Sequence, residues 1–129
     1  MGKKQTFLSD INSPLKKHLF VIITDPDDDL NYLIVPITTL KKDINNKPFA
    51  GQDSSCILKK GEHSFIKHES WVSYAKAIKL SFSEVYNGIR KELFIRKEDV
   101  TIEVLKKIQN GAKKSKYLPA GFKSFFNYF

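Results

Sequence analysis

Apolar runs in the first two thirds of the chain predict a set of short β-strands. A run of β-branched and aromatic residues over His18–Thr24 predicts a buried strand, and Leu33–Thr38 predicts a second one. Cys56–Leu58 predicts a short third strand and Trp71–Leu80 a longer fourth. Pro36 interrupts the second run, and because proline has no amide proton for a ladder, we expect an edge or a bulge there.

The last third of the chain changes to helical spacing. Residues 81–91 predict a short helix, and residues 92–96 predict an additional strand. From Asp99, a candidate N-cap, apolar residues recur at helical intervals with lysines on the other face. The last nine residues contain five aromatics, which we expect to pack onto the preceding fold or onto a partner.

Together these elements predict one domain over residues 1–129, of the α+β class and mainly β. The expected architecture is a small SH3-like barrel over about residues 13–97, followed by a C-terminal helix and aromatic tail over about residues 99–129. Residues 1–16 form a lead-in without a predicted element. A domain of 129 residues buries roughly two thirds of the surface that its unfolded chain exposes, which is enough for a core.

Composition narrows the compartment and the class of partner. No apolar run approaches the roughly 20 residues that span a bilayer, and the first residues lack the apolar core of a secretory signal. The single cysteine, Cys56, allows no internal disulfide, so we expect a cytoplasmic protein. The net charge is +8, and residues 101–129 hold six lysines against one acid. This excess fits a polyanionic partner, but charge alone slightly favours a solvated helix face.

Two of the three histidines, His63 and His68, lie five residues apart in the polar segment GEHSFIKHES, just before the fourth predicted strand. Imidazole titrates near neutral pH, so such a pair is suited to acid–base chemistry. The structural alternative is that His63 caps the turn at Gly61 and that His68 is bonded within the fold. Sequence alone leaves both open.

Three motifs follow one another in a recognisable order. They are Lys16–Ile23 (KKHLFVII), Val35–Thr39 (VPITT) and the run from Ser70 to Leu80 that begins SWV. Over roughly residues 13–80, this order resembles the PemK/MazF toxin family of the CcdB-like superfamily. The family's loop usually ends in Arg-Pro, where this chain has Lys17 and His18, so the resemblance is to a divergent member.

The resemblance implies the toxin component of a toxin–antitoxin system. Members of that family are typically endoribonucleases that cut single-stranded mRNA without metal or cofactor, through a 2′,3′-cyclic phosphate. They are often homodimers and are restrained by a protein antitoxin, for which the basic charge predicts an acidic segment.

Such cleavage needs a base for the 2′-OH, an acid for the 5′-oxygen, and donors or cations for the phosphorane. The predicted catalytic residues are His63, His68, Thr38 and Lys17, with Thr38 matching the family's functional threonine. The predicted substrate-binding residues are His18, Thr39, Lys67, Ser70 and Tyr74.

Other functions remain open at the level of sequence. The chain fits a non-catalytic basic barrel that binds nucleic acid or protein, and it fits a CcdB-like toxin that poisons a topoisomerase, since fold does not determine function. Cys56, His63 and His68 are three conceivable zinc ligands, although their spacing matches no common zinc motif.

Overall fold

A computed structural model describes residues 2–129 and shows an α+β fold dominated by an antiparallel sheet. Its strands are β1 (Thr6–Ser9), β2 (His18–Ile22), β3 (Asn31–Thr39), β4 (Ile57–Leu58), β5 (Ser70–Val72), β6 (Ile78–Ser81) and β7 (Ile95–Lys97). Its helices are α1 (Phe82–Arg90), α2 (Ile102–Lys114) and two 3-10 helices, Tyr74–Lys76 and Ala120–Tyr128. The predicted class, α+β and mainly β, is confirmed.

The strands are ordered β4-β5-β3-β2-β1-β7, and β6 pairs with the first half of β3. All these pairings are antiparallel. Across residues 2–129 the pairings do not join β4 to β7, so hydrogen bonding does not close the sheet into a barrel. Within this same range, no helix is long and apolar enough to cross a membrane.

Both faces of the central strands are buried, which explains why β2 and β3 are continuous apolar runs. Leu19 and Val21 of β2 face a large core with Leu33 and Val35 of β3. The alternate residues face a smaller core on the other side, which contains Phe7, Phe20, Ile22, Tyr32, Ile34 and Val85.

Helix α2 and the C-terminal tail cover the larger core. Thr101, not Asp99, is the N-cap of α2, and its hydroxyl accepts a hydrogen bond from the Val104 amide at 3.2 Å. Phe125 of the tail is buried in the same core, and further aromatics of the tail pack around it, which confirms that the tail packs onto the fold.

Helix α1 covers the smaller core and starts with a capping box. The Ser81 hydroxyl accepts from the Glu84 amide at 3.1 Å, and the Glu84 carboxylate accepts from the Ser81 amide at 3.0 Å. Val85 is the buried residue that α1 contributes to this core. The short helix predicted for residues 81–91 is therefore confirmed.

Three sequence-based predictions of the strands need correction. The lead-in contains β1, which pairs with both β2 and β7. The predicted strand Trp71–Leu80 is two strands, β5 and β6, separated by a 3-10 turn. Pro36 lies inside central β3, opposite Phe20, and not on an edge strand.

The gap between β5 and β6 explains how the sheet accommodates Pro36. The amide and carbonyl of one residue in an antiparallel strand point to the same neighbour. The Pro36 carbonyl accepts from the Ser73 amide at 3.0 Å, so the missing Pro36 amide also faces residues 73–77, where the ladder is already interrupted. The absence of an amide proton on Pro36 therefore costs no ladder bond, because the opposing residues offer no strand to bond with.

The buried thiol of Cys56 leads to a first prediction. Cys56 is 3% exposed, and burial raises the pKa of its thiol to about 11. Because the thiolate is the reactive form, we expect almost no alkylation by iodoacetamide at pH 8 in the native protein. The same protein in urea should react fully, as followed by mass spectrometry. Rapid labelling without denaturant would contradict this environment.

Candidate functional site

A pocket of about 260 Å³ lies at one end of the sheet, where the start of β2, the end of β3 and the start of β5 meet. We call it the cation pocket because three lysines line it together with two histidines and two threonines. Its lining residues are Lys16, Lys17, His18, Leu19, Ile37, Thr38, Thr39, Phe65, Ile66, Lys67, His68 and Ser70.

Antiparallel pairing brings these groups together from distant parts of the chain. Thr39 is paired with Ser70, and Ile37 is paired with Leu19, so the two ladders end at the same edge. Lys17 comes from the exposed turn that leads into β2. Seven predicted site residues therefore share one pocket: Lys17, His18, Thr38, Thr39, Lys67, His68 and Ser70.

His18 is a partly buried polar group of the cation pocket. Its Nε2 lies 3.3 Å from the Ser13 Oγ. Burial lowers the pKa of His18 below its ordinary value, a hydrogen bond with the Ile37 backbone opposes this, and the charges of Lys16 and Lys76 lower it further. His18 is therefore neutral at pH 7 and able to accept a proton.

The segment between β4 and β5 presents Lys67 and His68 to the cation pocket. Both are exposed, whereas Ile66 beside them is buried in the large core. The Ser70 hydroxyl donates to the His68 carbonyl at 2.8 Å and is itself buried. Ser70 therefore fixes the backbone that carries His68 rather than offering a free hydroxyl to a ligand.

The structure places His63 outside the cation pocket, so the predicted pair of His63 and His68 is not formed there. His63 is buried; its Nδ1 accepts from the Phe65 amide at 3.0 Å, and its Nε2 lies 2.8 Å from the Glu98 carbonyl. Because Nδ1 accepts a hydrogen bond, the ring proton is on Nε2, which donates to the Glu98 carbonyl. Both ring nitrogens are therefore engaged in hydrogen bonds. His63 supports the segment that carries His68.

Tyr74 is also corrected, because its side chain is fully buried and cannot stack on a substrate. Its hydroxyl donates to the Ile108 carbonyl of α2 at 2.6 Å, and burial raises its pKa. The periodicity of a β-like run gave no indication that this tyrosine lies in a 3-10 turn under α2.

A second, smaller pocket of about 120 Å³ adjoins the first, and we call it the side pocket. His18 and Thr38 line both pockets. The other residues of the side pocket are Ile11, Asn12, Ser13, Phe20, Pro36, Trp71, Ser73 and Lys76. Sequence reasoning missed most of this set, since residues 1–16 had no predicted element.

Cys56, His63 and His68 are the three conceivable zinc ligands of the chain. Among the described residues, 2–129, no group of three or more His, Cys, Asp or Glu side chains is placed to hold one metal ion. The three conceivable zinc ligands therefore do not converge.

No protein-family model, curated protein or solved structure matches this chain significantly. The functional interpretation accordingly rests on the residues and geometry of the two pockets and on the sequence motifs.

Proposed function

We propose that this protein is a metal-independent endoribonuclease that cleaves single-stranded RNA in the cation pocket. The observation that carries the proposal is that two histidines, three lysines and two threonines from separate segments line one pocket. The lysines provide the positive charge that binding of a polyanion needs. The histidines provide the acid and the base that cleavage of a phosphodiester by the neighbouring 2′-OH needs.

The roles follow from the environments of the groups. His18, held neutral, takes the proton from the 2′-OH as the 2′-oxygen bonds to phosphorus. His68 gives a proton to the 5′-oxygen as the P–O5′ bond breaks, which leaves a 2′,3′-cyclic phosphate and a free 5′-OH. Lys17 and Lys67 stabilise the phosphorane, and Thr38 and Thr39 donate hydrogen bonds to its oxygens.

The biological setting that we propose is the one implied by the resemblance to the PemK/MazF family. The protein would act as a cytoplasmic toxin on an SH3-like fold, with mRNA as its substrate. A protein antitoxin with an acidic segment would cover the cation pocket, and a homodimer is the expected assembly. The motifs at Lys16–Ile23, Val35–Thr39 and Ser70–Leu80 support this setting.

The proposal is tested by incubating purified protein with a long single-stranded RNA in EDTA. We expect cleavage products that end in a cyclic phosphate. RNA that stays intact but binds the protein with strong salt dependence would overturn the nuclease and favour a binding module. Intact RNA without binding would favour a toxin that acts on a protein target.

The environment of His18 predicts the pH dependence of cleavage. Protonation removes the base, so the rate should fall on the acid side, and the lowered pKa of His18 places this fall below pH 6.5. The positive charge of Lys76 disfavours protonation, so Lys76→Gln should raise the pKa and shift the fall to higher pH. The measurement is kcat/KM against pH, which reports groups in the free enzyme. A fall above pH 6.5, or one unmoved by the substitution, would argue against His18 as the base.

A further inference from the structure

The side pocket lies on one face of the sheet. Much of the cation pocket is lined by side chains from the other face. Alternation along β2 places His18 on the same face as Phe20, and alternation along β3 places Thr38 on the same face as Pro36. Trp71 is paired directly with Thr38 and shares that face. His18 and Thr38 line both pockets and therefore lie where the two pockets adjoin.

The size of the side pocket restricts its occupant to about one ring. An engineered cavity of about 150 Å³ accepts benzene, and the side pocket, at about 120 Å³, has a similar size. A complete nucleotide or a peptide side chain with its backbone would not fit. A six-membered heterocycle on a chain that continues into the cation pocket would.

The walls of the side pocket match a flat ring with a polar edge. Phe20 and Pro36 are buried, and Trp71 is only partly buried, so the indole offers an accessible surface for stacking. The polar residues Asn12 and Ser13 lie in the turn before β2, which a hydrogen bond from the Ser13 amide to the Asp10 carbonyl holds at 2.9 Å. Amide and hydroxyl groups read the hydrogen-bonding edge of an unstacked base.

We propose that the side pocket binds a pyrimidine base of the nucleotide next to the cleaved phosphodiester, stacked on Trp71. This subsite deepens the proposed function and rests on it, because the cation pocket must hold the adjoining phosphate. A pyrimidine fits because it is a single ring, and we expect a purine to bind less tightly because its second ring needs more space than the side pocket provides. Cleavage should consequently occur beside uridine or cytidine.

Trp71 is the only tryptophan of the chain, so its fluorescence reports directly on the side pocket. The probes are 2′-O-methyl trinucleotides, which cannot be cleaved because the 2′-oxygen carries no proton. The set comprises a uridine, an adenosine and an abasic trimer of equal charge. We expect saturable quenching by the uridine trimer, with affinity about tenfold or more above that of the abasic trimer, as base stacking typically provides.

Three variants separate stacking from charge, with affinity measured by anisotropy of end-labelled trimers. Trp71→Leu should reduce affinity for the uridine trimer to that of the abasic trimer, and Trp71→Phe should restore much of it. Lys67→Gln should weaken all three trimers by the same factor, because it removes only a phosphate contact.

The outcomes distinguish the subsite from the nuclease. Selective uridine quenching with no cleavage of long RNA would support the subsite while overturning the nuclease. Cleavage with no base preference and no quenching would overturn the subsite alone. Equal binding of adenosine and uridine trimers, or no binding of any trimer, would also overturn it.

Discussion

His68→Gln should lower the rate of RNA cleavage by about 10²–10⁴-fold, the contribution typical of a positioned acid or base. The side chain is exposed at the mouth of the cation pocket, and the bond that fixes this segment comes from Ser70 to the His68 carbonyl. The substitution therefore removes the proton donor without removing that support. The measurement is single-turnover cleavage of a defined RNA in EDTA.

Matched controls make the result specific to the pocket. Lys67→Gln, in the pocket, should reduce cleavage, whereas Lys106→Gln removes the same charge from an exposed position on α2 and should leave it nearly unchanged. Unfolding curves of the three variants should match that of the unsubstituted protein. Full activity in His68→Gln would exclude it as the acid. An equal loss in Lys106→Gln would show that overall charge, not the pocket, controls the rate.

Gly111→Ala should destabilise the protein, although alanine favours helices by about 1 kcal/mol over glycine. Gly111 is buried within α2, and a Cβ at this position would meet the Tyr74 hydroxyl and lie 2.7 Å from the Cys56 Cβ. The Ser55 carbonyl is 3.0 Å away, so backbone also opposes the added methyl. Overpacking of this kind typically costs about 1–3 kcal/mol. Urea denaturation provides the free energy of unfolding.

Two further variants identify the source of this cost. Gly121→Ala adds the same methyl where nothing lies within 4 Å, so the unfolding free energy should stay unchanged or rise by up to about 1 kcal/mol. Tyr74→Phe removes the hydroxyl that the new methyl would meet, so Gly111→Ala should cost less in that background than alone. Stabilisation by Gly111→Ala would refute close packing of α2 against the 3-10 turn.

The central strands were predictable because their burial on both faces leaves a continuous apolar signal. β1 gave no such signal, since its four residues TFLS form a strand only through pairing with β2 and β7. The sequence also did not predict that residues 71–80 form two strands separated by a 3-10 turn, because this turn packs under α2, which is distant in the sequence. Asp99 and Thr101 are both acceptable N-caps by residue type, and residue type alone therefore could not identify Thr101 as the N-cap.

The candidate site likewise could be predicted from the sequence only in part. Residues at strand ends, such as His18 and Thr39, share one pocket because antiparallel pairing brings such ends together, and their roles in binding remain predictions. His63 and His68 are equivalent by residue type and by neighbourhood in the sequence, yet one is buried and the other exposed. His63 is bonded to the Phe65 amide and to the carbonyl of Glu98, 35 residues away, and the second of these contacts could not be read from the sequence.

That same contact has a consequence for synthesis of the protein on the ribosome. Two contacts support the wall of the cation pocket that carries His68. The His63 Nε2 lies 2.8 Å from the Glu98 carbonyl, and the Glu62 carboxylate forms an ion pair with Lys107, whose Nζ lies 3.1 Å away. A nascent chain that has not yet extruded residues 98–107 lacks both supports. Because both supports come from residues 98–107, the segment that carries His68 acquires them only after those residues have emerged from the ribosome.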